Sequence, residues 1–263
     1  MKAEDMSHQE CELFLECILD ITSMMLEAGN EAQRVERIAL RIMDAYGFTL
    51  CCAYAMSAKV DISIKAPDGC HYTQSVRVLS TGTDLGRLER LTRMAYKICD
   101  DQPAVDEIRR MIDTEQQHKN KVLLEMLGFL ATAFFYAIFF GGDIWDGAAA
   151  ILVSAPVYGL NLALNRQLHN SQSRLLFTFL ASFLSGCLAL WSVRLGLGHH
   201  ADKIMIGEIM LLIPGLSLVN GVRELFYRDI VTGTYRLVEA LILAVAIAAG
   251  FGVAIILLGG GLA

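Results

Sequence analysis

Hydrophobic and polar positions divide this chain in two. From residue 122 onward the apolar residues run together in five blocks, about 122–140, 147–164, 175–193, 204–219 and 237–258, with short polar connections between them. A helix that crosses a bilayer needs about 20 apolar residues at ~1.5 Å rise each. Five such blocks are too apolar and too closely linked for a soluble core, so they predict five transmembrane helices. Before residue 122 the pattern is that of a small folded domain. MSHQECELFLECILDITSMMLEAG reads as an amphipathic helix that ends at Gly29, a C-cap residue. Asn30 with Gln33 fits a capping box for a second helix through about Tyr46. Three β-rich runs follow: FTLCCAYAM, VDISIKA and CHYTQSVRV. The last two flank Pro67-Asp68-Gly69, a turn signal, and predict a hairpin. Leu85, Leu88, Leu91, Ala95 and Ile98 then sit at helical spacing, as do Val105, Ile108 and Ile112 after Pro103. The expected architecture is a polytopic α-helical membrane protein of about five spans (residues 122–263), preceded by a small cytoplasmic α+β domain (residues 1–121).

Composition sharpens this division. Of 263 residues, 54% are hydrophobic and the mean hydropathy is +0.45. Residues 1–121 hold 15 of the 22 Lys and Arg and 20 of the 28 Asp and Glu. The net charge of −6, mostly from this front part, argues against a nucleic-acid surface. The start MKAEDMSHQE lacks the basic stretch and apolar core of a signal peptide. Seven cysteines without a CxxC pair read as thiols in a reducing compartment, which puts the front part in the cytoplasm. No metal or cofactor motif, repeat or Gly-rich phosphate loop is visible. Loop charges agree on orientation. Arg109, Arg110, Lys119 and Lys121 precede the first span, and the next loop has Asp143 and Asp146 but no base. Arg166 and Arg174 follow span two. The loop after span three is mixed, with Arg194, Asp202, Lys203 and the pair His199-His200, and Arg223, Arg228 and Arg236 follow span four. The N-terminus is expected inside and the C-terminus outside, in a plasma membrane.

Polar residues within the spans are costly against lipid and usually face a bundle or a wet cavity. Ser154, Tyr158, Asn161 and Asn165 share one face of span two, which also carries Pro156. Thr178, Ser182, Ser185 and Ser192 form a stripe on span three, where small hydroxyl residues suit close helix packing. Ala240, Ala244, Ala248 and Gly252 on span five read as a packing face. Glu125 and Glu239 stand near the inner ends of their spans. Span four is broken. Glu208 lies roughly 7 Å in from its outer end and Pro214-Gly215 roughly 16 Å in. Proline removes a donor and leaves carbonyls unpaired, which at that depth requires protein or water to satisfy them. Ser217, Asn220 and Glu224 follow on one face, and Arg223 and Glu224 are expected in the loop beyond. Discontinuous helices near the midplane recur in solute sites of transporters; a kink with satisfied neighbours is the plainer reading. Glu208 is either a proton or cation site or a buried hydrogen-bonded carboxylate. In the front domain, Ser57, Asp61 and His71 are the candidates for a hydrolytic set, against a reading as turn and strand-surface residues.

Three stretches resemble one known family. LEAGNEAQRVERIALRIMDAYGF is similar to the N-terminal signature of the threonine/serine exporters, with its Ala-Gly and then Arg-Val-Glu. GFLATAFFYAIFFGGDIWDGAAA looks like their first span and Gly-Gly-Asp loop. GEIMLLIPGLSLVNGVRELFYRDIVTGTYRLVEALILAVAIAAG resembles their Leu-Ile-Pro-Gly segment. Glu224 stands where an acid, often Asp, follows the arginine, and Tyr227-Arg228-Asp229 replaces a more usual Gly-Asp. The resemblance covers about residues 10–258. It implies export of small amino acids such as threonine and serine. A two-subunit branch of this length is associated with succinate-like dicarboxylates, with a separate, smaller multi-span subunit. Single-chain members look like both parts fused, with about ten spans. Five spans is an odd number, so a homologous second half would enter inverted, an arrangement whose interface commonly holds the substrate.

The leading expectation is therefore a subunit of an inner-membrane exporter of small carboxylates, without a cofactor. Pro214, Gly215, Ser217, Asn220, Arg223, Asn161, Tyr158 and Ser154 are expected along the solute path, with Glu208 as the proton-coupling group. The partners are the bilayer, the smaller subunit and the solute; a homo-oligomer is also compatible. The alternatives are a membrane-anchored sensor, whose spans only hold it in place, and a membrane-bound hydrolase using the front domain.

Overall fold

The computed structural model describes residues 2–66, 69–78, 82–117, 122–167 and 172–259. Its contacts divide the chain into two compact units. One is Met1–Lys119 with Leu216–Leu237, and the other is Asn120–Gly215 with Val238–Ala263.

The first unit opens with a short 3-10 turn and helix α1 (His8–Glu27). Ser7 and Glu10 form a reciprocal capping box at its start, a signal the sequence reading passed over. At its end Ala28 is the C-cap and Gly29 takes φ 93°. That left-handed position suits glycine, and a Cβ there would stand 2.5 Å from Gly82 O. Helix α2 (Ala32–Ala45) follows. The capping box expected at Asn30 and Gln33 does not form: the N-cap is Glu31, and its side chain makes no capping bond. Strands β1 (Cys51–Met56), β2 (Lys59–Lys65) and β3 (His71–Arg77) make an antiparallel sheet in that order. β2 and β3 pair as the hairpin expected around Gly69; Pro67 and Asp68 lie outside the described residues. Val60, Ile62 and Ile64 alternate into the core, as a half-buried strand requires. Helices α3 (Leu85–Asp101) and α4 (Val105–Gln116) complete the domain, burying Leu91, Ala95, Ile98, Val105, Ile108 and Ile112. Phe14 packs between Tyr46 and Phe48, with ring centroids 4.6 and 5.5 Å away. Burial pushes the thiols of Cys17 and Cys51 up to about 11, so both stay protonated.

The same unit takes in helix α9 (Gly215–Phe226) and the start of helix α10 (Ile230–Leu258). Here the sequence reading needs correction. Arg223 and Glu224 are not in a loop, because the helix continues beyond them to Phe226. Helix α10 begins at Ile230, seven residues before the expected start at 237. Gly221 and Gly233 let these two helices approach: a Cβ on Gly233 would lie 2.8 Å from Gly221 O.

The second unit holds α5 (Val122–Phe139), α6 (Ile144–Gln167), α7 (Gln172–Arg194), α8 (Ala201–Leu212) and the rest of α10. Among the described residues four helices are long and apolar enough to cross a membrane, or five if the broken pair α8 and α9 counts as one span. This is a polytopic helical membrane protein. Its second core is built from small residues, among them Ala133, Ala137, Ala149, Ala150 and Ala189, with Ile204, Ile247 and Phe251. Gly207 of α8 lies on α5, where an added Cβ would be 2.9 Å from Ala133 O. The packing face of α10 differs from the stripe expected. Ala240 is buried, but Ala244 and Ala248 are exposed, and the buried line runs Ala240, Leu243, Ile247, Phe251 and Ala254. A strict spacing of four turns about 40° further round the helix at every step, so such a stripe leaves the packed face.

Candidate functional site

In the second unit the polar residues of α7 have divided fates. Thr178 Oγ1 donates to Arg174 O, Ser182 Oγ to Thr178 O and Ser192 Oγ to Ala189 O, all within their own helix. Ser185 alone of the four reaches across, donating to Glu208 Oε2 of α8 at 3.5 Å. Glu208 is 1% exposed, and its other oxygen has no hydrogen-bond partner among the described residues. A carboxylate in that setting is strongly disfavoured as an ion without a further donor. On α6, Ser154 is buried and donates to Ile151 O. Tyr158 donates to Val122 O at 3.1 Å, and its ring meets Phe129. Asn161 is half-buried on the same helix, and the side chain of Asn165 lies outside the described residues. Arg174 pairs with Glu239 at 3.2 Å, whereas Glu125 is exposed.

The loop residues Asp143, Asp146, His199 and His200 form a cluster that the sequence reading took only as loop charge. Asp143 is the N-cap of α6 and Asp146 its third residue: Asp146 N donates to Asp143 Oδ1 at 2.8 Å, and Asp143 N to Asp146 Oδ2 at 3.0 Å. Asp146 Oδ1 also accepts the backbone N–H groups of His199 and His200, at 2.7 and 2.8 Å. His200 Nδ1 lies 2.8 Å from Asp146 Oδ2. One buried carboxylate thus fixes the start of α6 to the loop before α8. The spacing Asp-x-x-Asp before an apolar run was the available signal. Ligand atoms of Asp143, Asp146 and His200 lie within 4.8 Å of one another. The oxygens of Asp146 are already committed to these donors, which fits a loop clamp better than an ion. Outside it, His199 lies 2.5 Å from Asp143 Oδ2. That contact raises the imidazole pKa and lowers that of the carboxyl.

In the first unit the polar face of α9 meets the turn between α1 and α2. Asn220 Nδ2 donates to Gly29 O at 3.3 Å. Arg223 pairs with Glu31 at 2.5 Å. The N–H of Ala32, the first residue of α2, points to Glu224 Oε1 at 3.4 Å. Arg236 of α10 donates through Nη2 to Asn30 O at 2.7 Å and through Nε to Ser57 Oγ at 3.2 Å, and it stands 3.2 Å from Glu224 Oε2. Asn30, Ser57, Glu224 and Arg236 are all at least nine-tenths buried. Ser217 is half-buried on α9. Asn220 and Arg223 therefore belong to a different compact unit from Ser154, Tyr158 and Asn161. Between α8 and α9, Ile213 is extended (ψ 127°) and Pro214 carries no donor, so the helix stops there and restarts at Gly215.

Ser57, Asp61 and His71 do not converge. Ser57 is held by Arg236, Asp61 pairs with Lys59, and His71 faces Lys65 across the sheet, four positions along β3 from Ser75, the residue opposite Asp61. A shallow groove of about 440 Å³ between α2 and α3, lined by Arg34, Leu85, Leu88, Thr92, Arg93 and Tyr96, contains none of them.

Comparison with known proteins gives these features a context. No solved structure matches the chain. A protein of Klebsiella aerogenes named "Probable succinate transporter subunit YjjP" is 27% identical over 246 residues, which is 90% of each chain. Its Escherichia coli namesake is 30% identical over 140 residues, 52% of each chain. The "Probable threonine/serine exporter" of Mycobacterium tuberculosis is 26% identical over 242 residues, 89% of this chain but only 45% of that longer protein. The model of the family described as "Putative threonine/serine exporter" matches residues 16–258. The chain belongs to the threonine/serine exporter family.

Proposed function

We propose that this chain is the larger subunit of an inner-membrane exporter of small carboxylate metabolites, either threonine- and serine-like amino acids or succinate-like dicarboxylates, and that export is coupled to protons through Glu208. The observation that carries the coupling is the buried Glu208 with one oxygen unpartnered among the described residues, on the first half of a broken span. A carboxyl so placed takes up and releases a proton only when water or solute reaches it, which is what alternating access provides. The break at Pro214, the polar line of Ser154, Tyr158 and Asn161, and Ser217, Asn220 and Arg223 on α9 are the path residues of this reading. The front domain is cytoplasmic and the C-terminus outside, as the loop charges indicate. A smaller multi-span subunit supplies the second half. Support comes from the word "subunit" in the name of one relative and from the doubled length of another. The test is efflux of labelled threonine, serine and succinate from loaded cells as external pH is varied. Glu208→Gln is expected to retain a membrane-inserted chain and to lose the pH dependence. A variant that keeps the wild-type pH profile would remove Glu208 from the coupling.

A further inference from the structure

The start of α2 is capped from far along the chain. Glu31, its N-cap, offers no side-chain bond to the helix, and the N–H of Ala32 turns instead to the Glu224 carboxylate of α9, 192 residues away. A carboxylate at that place also meets the positive end of the α2 dipole. Every residue of the turn Gly29-Asn30-Glu31-Ala32 is held from α9 or the start of α10: Gly29 O by Asn220, Asn30 O by Arg236 of α10, Glu31 by Arg223 and Ala32 N by Glu224. Gln33 adds a bond from Nε2 to Tyr227 O at 3.4 Å. Two arginine–glutamate pairs differ in setting. Arg236 and Glu224 are 6% and 2% exposed in their side chains, whereas Arg223 and Glu31 are 54% and 15% exposed. The opposite face of α9 presents Leu218, Val219, Val222 and Phe226 outward, and Asn220, Arg223 and Glu224 on its polar side each meet the α1–α2 turn. On the other side of Pro214 the chain passes into the second compact unit.

We infer that the front domain is a control element of the broken span: through the α1–α2 turn it grips α9, and the state of this grip sets whether the second half of the span is free to move about Pro214-Gly215. The inference rests on the exporter reading for its consequence but not for the grip itself. The test uses the full chain in membrane vesicles with a reporter cysteine introduced as Ser217→Cys. Its rate of alkylation by a maleimide is measured against the parent chain, which corrects for the native cysteines. Glu31→Arg and Arg223→Glu are each expected to speed labelling about fivefold, the effect of one ion pair lost. The double exchange, which restores the pair with reversed charges, is expected to return labelling to the parent level. Unchanged labelling in both single variants, or no recovery in the double, would overturn the grip. Altered labelling in Glu31→Arg, with unaltered efflux in a Glu31→Arg chain that keeps Ser217, would overturn the control role and leave the exporter reading standing. A parent chain that exports none of the three solutes even when co-expressed with a smaller multi-span subunit would overturn the exporter reading and with it the control of export, while the labelling still decides the grip.

Discussion

Arg228 holds φ 65°, in the left-handed region that a side chain makes costly, at the turn between α9 and α10. Glycine takes this conformation without that cost. Arg228→Gly is expected to stabilise the chain by about 0.5–1 kcal/mol, the left-handed cost less the extra freedom of an unfolded glycine. Thermal unfolding in detergent checks it, and efflux should not change. The pair His199 and Asp143 gives a second expectation at this scale. The imidazole pKa is raised from 6.5, so its stabilising share is complete below that value and is lost as pH rises through the raised one. The carboxyl pKa is lowered from 3.8, so its share is complete above that value and is lost as pH falls through the lowered one. The loop is thus held best between these ordinary values. Hydrogen exchange of the amides of residues 196–200 across pH should show this plateau, and His199→Asn should abolish its upper limb. Sequence reading found both histidines but not their role, because the loops that bring Asp143 and His199 together are 56 positions apart.

At the scale of elements, burial of one ion pair joins three segments. Arg236→Met leaves Glu224 buried without a cation and is expected to cost about 3–5 kcal/mol, whereas Arg236→Met with Glu224→Leu should recover most of the loss. Resistance of the membrane-embedded chain to heat and to trypsin would register both. A double variant as unstable as the single one would mean that packing around Arg236, not charge, is what matters. Gly207 sets the approach of α8 to α5, and Gly207→Leu would drive a side chain against the Ala133 carbonyl, at about 1–3 kcal/mol. The break after Ile213 was legible in Pro-Gly, and the four uninterrupted spans were legible in the apolar runs. The length of α9 was not. Arg223 and Glu224 look like loop charges until the α1–α2 turn is present to pair with them. The small-residue stripe of α10 also misled, because a spacing of four is close to the helical period but not equal to it.

For the whole molecule, membership of the family and the division into a polar front and an apolar rear were available in the sequence. This chain expressed alone is expected to give no efflux above background, and co-expression with a smaller multi-span subunit should restore it. The termini of that subunit are expected in the opposite orientation; reporter fusions that place them like those of this chain would sink the inverted-half arrangement.

The sequence by itself determined what composition and local periodicity can carry: the apolar spans, the three strands, the helices of the front domain and the broken helix at Pro214. Each depends on neighbours a few residues apart, or on the free energy of transferring a segment into lipid. Only the tertiary structure decided which polar groups are satisfied and by whom. Asn220 and Arg223 go to the α1–α2 turn, Ser57 to Arg236, Asp146 to the backbone before α8, and Ser185 to Glu208. A buried polar group needs a partner wherever the chain can bring one, and that partner is not written into its neighbourhood in the sequence.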